Sequence, residues 1–252
     1  MMLAVDVVML TKNSEHLLDK CLESIYRNVP VNQLIVVDGF SEDRTLKILD
    51  KFSERYGNVR VFSVSGSRAR AREQGIAHVT TDWFLFADSD VILSNDWFAK
   101  AKDNIRGDVG AVWGVNIDVI PNMTDKRVLR LQTLVANECF SLRGGTHDAL
   151  VRRDLLADIK IPSELHTYED AFIMNWIKDK GYKAVVGKGI YCLHFKPSTN
   201  WSPQNMIDGA ILELRCGLIY SKNFSYVIYY PFFTFYWFLQ IALQGMRGLG
   251  PA

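Results

Sequence analysis

Asp88 and Asp90 stand one residue apart, around Ser89, at the end of the apolar run WFLFADSD from Trp83 to Asp90. Two carboxylates this close repel unless a cation joins them. Hard divalent ions such as Mn2+ or Mg2+ take carboxylate oxygens together with the phosphates of a substrate. A second acidic pair, Glu169 and Asp170, opens a later helical stretch. Carboxylates there complement the helix dipole, or supply a base to a reaction at the helix end. His194 lies beside Phe195 and Lys196 at the end of a β-rich run, where an imidazole meets phosphate or a metal as readily as a core hydrogen bond. Arg68, Arg70 and Arg72 add a cluster of cations before the central acids.

These groups need a scaffold that brings distant segments to one edge. Trp83 to Ala87 reads as a strand buried on both faces, which leaves the sheet where Asp88 begins. Upstream, Ala4 to Leu10 is a strand, and a helix with Leu17, Leu18, Cys21, Leu22 and Ile25 on one face follows, capped by Asn13 or Ser14. Gln33 to Val37 is a second strand, and Ser41 is expected to cap a helix beginning at Glu42, with Leu46, Leu49, Phe52 and Tyr56 inward. Val59 to Val64 is a third strand, and a short arginine-bearing helix follows it. Strand and helix alternate, the sequence form of a right-handed βαβ sheet. Each strand ends in polar residues: Thr11 and Asn13, then Asp38, then the turn after Ser65, then Asp88 and Asp90. Open α/β sheets bind ligands at that edge.

Further on, Asn95 to Asn104 reads as a helix, Ala111 to Val119 as a strand and Lys126 to Leu142 as a helix broken by Gly144 and Gly145. Ala149 to Val151 is a strand, and Glu169 and Asp170 start a helix whose apolar face is Phe172, Ile173, Trp176 and Ile177. Ile190 to Phe195 closes the β series.

Composition bounds the function. The 252 residues are long enough for a substantial core, and 48% hydrophobic with 23% charged residues is ordinary for a globular chain. A net charge of +1 offers no basic field for nucleic acid, so any anion must be held locally. Cys21, Cys139, Cys192 and Cys216 are far apart, with no C-x-x-C, and read as reduced core residues. The opening MMLAVDVVML reads as a first strand and not as a signal peptide.

With VVMLTKN, VVDGFSEDRT, ARAREQGI, FADSD and YEDAFIMNWIKDKGYK in this order, the chain resembles the family 2 glycosyltransferases over about residues 3 to 200. That resemblance implies an α/β GT-A fold, with a mainly parallel central sheet flanked by helices, and inverting transfer of a sugar from a nucleoside diphosphate. It implies that Thr11, Asn13 and Asp38 line the nucleoside pocket. Arg68 or Arg72 meets the base or diphosphate, and Asp88 and Ser89 approach the donor. The metal falls to Asp90, Asp88 and His194, and Asp170, with Glu169 beside it, faces the acceptor as base. Two positions depart from the family pattern: Glu73 stands where Asn is more usual, and Gly39-Phe40 replaces the commoner Asp-Gly.

From Tyr226 to Met246, YVIYYPFFTFYWFLQIALQGM, no residue is charged. Roughly 20 apolar residues suffice to span a bilayer, yet Pro231, two glutamines and the density of aromatic rings suit the headgroup layer. The expected organisation is a catalytic domain over 1–202 and a helical, membrane-associating tail over 203–252. The expected place is the cytoplasmic face of the cell membrane, peripheral or held by a single C-terminal span. A saccharide or polyprenyl-linked acceptor fits that setting. Two rival readings are a nucleotidyltransferase, against which LTKNSEHL lacks the glycines of a phosphate loop, and a non-catalytic nucleotide-sugar-binding subunit, against which both Asp90 and Asp170 are kept.

Overall fold

The computed structural model describes residues 4–119, 143–195, 203–222 and 224–245. The expected helix from Lys126 to Leu142, Cys139 and the residues just after Phe195 lie outside them. Eight strands form one sheet in the order β3-β2-β1-β4-β7-β6-β8-β5. These are β1 (Val5–Thr11), β2 (Val31–Asp38), β3 (Val59–Ser63), β4 (Trp83–Asp88), β5 (Val91–Leu93), β6 (Val109–Asp118), β7 (Asp148–Arg152) and β8 (Lys183–His194). The first four are mutually parallel, as the alternating pattern predicts. Beyond β4 the sheet is mixed, because β7 runs antiparallel to both β4 and β6, and β5 antiparallel to β8.

Period-two burial sorts each strand onto two cores. Val7, Met9, Leu85 and Ala87 face α1 (Leu18–Asn28), α2 (Thr45–Tyr56) and α4 (Trp97–Lys102). Val8, Phe84 and Phe86 face α3 (Arg68–Ala77), α5 (Glu169–Asp179) and the tail helix α7 (Tyr226–Gly245). Phe84 to Ala87 are fully buried, as expected of a central strand covered on both sides.

Four local expectations are corrected. The second helix starts at Thr45, without a side-chain cap, because Ser41 turns back and gives both its N–H and its hydroxyl to Asp38, at 2.8 and 2.6 Å. A buried carboxylate is the stronger acceptor, so it takes the serine that the helix would otherwise use. The first helix starts at Leu18, also uncapped by a side chain, and the Ser14 hydroxyl meets that of Ser89 at 2.9 Å instead. Of the four residues expected inward on α2, Leu49 and Phe52 reach the core; Leu46 is exposed, and Tyr56 stacks on Tyr26 with ring centroids 3.8 Å apart. The strand expected from Ile190 begins seven residues earlier, at Lys183. Gly187 and Gly189, the latter at φ 73°, interrupt the β pattern in sequence while the register slips against β6.

The C-terminal helices pack on one another and on the start of α5, where Tyr168 meets Tyr226 and Ser221. A π turn, Gly217–Ser221, links α6 (Pro203–Cys216) toward α7. Glycine is required at 217, since a Cβ there would come within 2.2 Å of the Tyr226 ring. Tyr226, Tyr229 and Tyr230 are buried in the main core. The opposite stripe of α7, Ile228, Phe232, Phe235 and Leu239, is exposed at helical spacing. Among the described residues no helix is long and apolar enough to cross a membrane.

Candidate active site

Strand order reverses between β1 and β4: the chain winds outward through β2 and β3, then returns to the other side of β1. A crevice forms at such a switch point, at the carboxyl ends of the strands. Register places Thr11, Asp38 and Ser63 level across β1, β2 and β3, with Asp88 opposite Leu10 on β4.

On the β2 side, Thr11 Oγ1 donates to Asp38 Oδ1 at 2.8 Å, and both residues are buried. With Ser41 also donating to it, Asp38 organises the loop after β2. Asn13, at φ 51°, gives its N–H to Ser41 Oγ at 2.8 Å and accepts the Glu42 N–H at 2.9 Å, so the loops after β1 and β2 are clasped together. Phe40, exposed at the mouth, holds the left-handed conformation that glycine adopts more freely, at φ 59°.

On the β4 side, one ligand atom from each of Asp88, Asp90 and His194 lies within 4.8 Å of the others. Topology explains the meeting: His194, the last residue of β8, pairs with Val91 of β5, and the Phe195 N–H closes on Asp90 O at 2.9 Å. His194 Nε2 is 3.2 Å from Asp90 Oδ1. Two carboxylates and an imidazole are a donor set suited to a divalent cation. Burial pushes Asp88 up, but Arg72 beside it, with His194 and His147, outweighs that and holds the carboxyl at about 2. It is ionised, as a ligand must be.

The two arginines have different surroundings. Arg68 is exposed at the start of α3, which Ser67 caps through Arg70 N at 3.3 Å. Arg72 is buried, donates to Asp88 Oδ1 at 2.8 Å, and brings its Nε within 4.0 Å of Glu169 Oε1. Glu169 is itself buried; burial and the adjacent Asp170 push it up to about 7, against the pull of Arg72. Asp170 is partly exposed, and Arg143 clamps it through two bonds of 2.7 and 3.0 Å. Burial raises Asp170, but Arg143 more than offsets this and the carboxyl lies below the ordinary aspartate range. Ser89 joins the set through Ser14.

Two further residues belong to the site and were not singled out from sequence. His147 precedes β7 and accepts the Asp88 N–H on its carbonyl at 3.0 Å. Its ring lies parallel to that of His194, centroids 6.4 Å apart, and its Nε2 is 3.1 Å from the buried Asp148. The Trp97 indole N–H at 2.7 Å and the Gly114 N–H at 3.2 Å fix Asp148 in turn. The only trace in sequence is the His-Asp pair after Gly144-Gly145-Thr146. Its meaning depends on the antiparallel pairing of β7 with β4, which local pattern does not encode. Gly145 is the floor between the two halves, because a Cβ there would meet His147 Nδ1 at 2.7 Å and lie 3.8 Å from Asp170 Oδ2. The other is Arg143.

A family model described as glycosyl transferase family 2 matches residues 6–163. The chain is 28% identical over 186 residues to a poly(ribitol-phosphate) β-glucosyltransferase of Bacillus spizizenii, covering 68% of this chain but 29% of that protein. It is 25% identical over 202 residues to glycosyltransferase AglE of Haloferax volcanii, covering 75% of this chain and 66% of the relative. Among solved structures, the mannosyltransferase PcManGT of Pyrobaculum calidifontis, in complex with GDP-Man and Mn2+, superposes with a TM-score of 0.65 at 22% identity, over 82% of this chain and 60% of that one. TarS 1-349 of S. aureus, in complex with UDP-GlcNAc, gives 0.61 at 19% identity, over 84% of this chain and 66% of that one. These likenesses establish the GT-A-like α/β fold, and the family model's match over more than half of the sequence shows that the chain belongs to glycosyl transferase family 2.

Proposed function

We propose that this protein transfers a sugar from a nucleoside diphosphate to an acceptor hydroxyl, with inversion. The observation that carries this reading is the convergence of Asp88, Asp90 and His194 at the switch point, linked through Arg72 and Glu169 to Asp170. A divalent cation bound there supplies positive charge to the diphosphate as it leaves. Asp90, Asp88 and His194 would hold it, and the imidazole in the set favours Mn2+ over Mg2+. Arg72 keeps Asp88 ionised and aimed. Thr11, Asn13 and Asp38 shape the nucleoside side, and exposed Arg68 stands where an incoming anion first meets a cation. Asp170 removes the acceptor proton as the sugar carbon is attacked from the face opposite the leaving group.

The acceptor named for the Bacillus relative is a polyol-phosphate polymer, which supports a hydroxyl on a long anionic chain; a saccharide or polyprenyl-linked acceptor uses the same geometry. We place the enzyme on the cytoplasmic face of the cell membrane, lying on the lipid through the exposed stripe of α7. Segment 1–202 then carries the donor and metal residues, and segment 203–252 supplies the attachment.

The test is turnover of UDP-GlcNAc and GDP-mannose with Mn2+, by wild type and Asp170→Asn. Release of nucleoside diphosphate that needs Mn2+ and falls about a hundredfold in the variant, the usual scale of a general base, supports the reading. Donor cleavage that ignores Mn2+, or an Asp170→Asn enzyme as fast as wild type, rejects it.

A further inference from the structure

We infer that the C-terminal helices set the position of the catalytic carboxylate through Arg143, so that Glu213 and Tyr230, which meet Arg143 and not Asp170, are positioning residues of the reaction. The inference rests on the reading of Asp170 as the acceptor-facing base. Arg143 is largely buried and divides its guanidinium between two carboxylates. One edge meets Asp170, and the other meets Glu213 of α6 at 2.8 Å from Nε and 2.8 Å from Nη2. Tyr230 of α7 donates its hydroxyl to Glu213 Oε2 at 2.7 Å and lies 3.3 Å from Arg143 Nε. Thr167, just before α5, adds a hydroxyl to Glu213 Oε1 at 3.2 Å. The Arg143 guanidinium carbon also sits 5.9 Å above the ring of Tyr168, which holds a left-handed conformation at φ 70°.

Planar guanidinium geometry makes this chain stiff. A fork that satisfies two carboxylates bidentately fixes the plane of each, so Asp170 can turn only by giving up its two bonds to Arg143 or by drawing Arg143 off Glu213. A catalytic group must hold its direction within a fraction of an ångström, and a misplacement of about 1 Å costs on the order of a hundredfold in rate. Glu213 and Tyr230 therefore act on the reaction without touching it. The tail helices complete the active site as well as cover the core.

The experiment measures kcat and donor KM with UDP-GlcNAc or GDP-mannose and Mn2+, for Glu213→Gln, Tyr230→Phe and Asp170→Asn, and for each of the first two combined with Asp170→Asn. Glu213→Gln is expected to lower kcat about tenfold, a fraction of the misplacement penalty, with donor KM unchanged, and Tyr230→Phe to lower it less. In the Asp170→Asn background neither is expected to have a further effect, because residues acting through one group are not additive. Full kcat in both Glu213→Gln and Tyr230→Phe, with Asp170→Asn impaired, overturns the inference and leaves the active-site reading intact. Effects that simply multiply with Asp170→Asn also overturn it, since they describe general loosening of the fold. An active Asp170→Asn overturns the inference together with the assignment of the base. Tyr230→Phe removes a single oxygen, so it keeps the test valid should Glu213→Gln fold poorly.

Discussion

Arg72 Nη2 donates to Asp88 Oδ1 across 2.8 Å, from a helix laid against the sheet to the last residue of the central strand. The pair sits where α3 covers β4, with the guanidinium carbon 5.1 Å above the Phe86 ring. The arginine is thereby anchored on an apolar face and aimed at the acids. Among the described residues its Nε and Nη1 have no hydrogen-bond partner, and Glu169 Oε2, near by, has none either. Charge complementarity at longer range holds these groups in the same pocket.

Replacing Arg72 with Met leaves Asp88 and Glu169 without their cation. Removing one partner of a buried ion pair costs about 3 kcal/mol or more. Urea unfolding should show a lower midpoint of that order at neutral pH, and calorimetry weakened Mn2+-dependent donor binding. Arg72→Lys, which keeps the charge but not the planar fork, should recover part of the stability and little of the binding. Wild-type stability in Arg72→Met would remove the ion pair from the account.

Asp90→Asn should abolish metal-dependent donor binding with the fold intact. Asp90 is a loop acid at the edge of the sheet, and the amide halves what it offers a cation. His194→Ala should weaken the same binding less, because two carboxylates remain. Calorimetry with Mn2+ and a nucleotide-sugar reads both variants, and a circular dichroism melt close to wild type shows that the fold survives. Unaltered Mn2+-dependent binding by Asp90→Asn would sink the metal assignment.

Much of this was legible in the sequence. Four parallel strands with polar carboxyl ends were written in period and punctuation, and Asp88, Asp90, Asp170 and His194 fell in order. The remainder depended on information a linear reading does not carry. Asp6 reads as an interruption of the first strand, yet it is fully buried and takes donors from two segments, Asn32-Gln33 and Thr80-Thr81. Ser41 reads as a helix cap, but a carboxylate three residues earlier competes for it. His147 and Arg143 become site residues only through antiparallel pairing and through helices about 70 residues downstream. Such partnerships are set by tertiary packing, which overrides local preference.

Asp6 gives a prediction about pH. Burial pushes its carboxyl up, but hydrogen bonds from Asn32, from the Thr80 N–H and hydroxyl and from Gln33 prevail and hold it below the ordinary aspartate range. A group with a depressed folded-state pKa contributes stability that is fully present above its unfolded value and is lost as pH falls through the folded one. Asp6→Asn should therefore cost about 2 kcal/mol at pH 7, the scale of hydrogen bonds to a buried charge. The gap to wild type should narrow in acid, below the normal titration range of aspartate. Denaturant midpoints from pH 7 down to pH 3 check this, and a gap that stays constant over that interval contradicts it.

Attachment to lipid is best tested on the outer face of α7, since Tyr226, Tyr229 and Tyr230 on its inner face belong to the core and removing the helix would take them with it. Ile228 is 78% exposed and Phe235 67%, with Phe232 between them on the same stripe. Large apolar side chains exposed in a row along one helix face mark a surface that meets lipid or protein. Substitution of Ile228, Phe232 and Phe235 together by Ser removes exposed surface, so the melting temperature should stay close to wild type. Wild type is expected to float with vesicles of mixed zwitterionic and anionic lipid, and the triple variant to remain in the dense fraction while still turning over donor. A wild-type chain that ignores the vesicles, or one that sediments as a dimer which the three substitutions split, would instead make this stripe a protein interface and withdraw the membrane from the proposal.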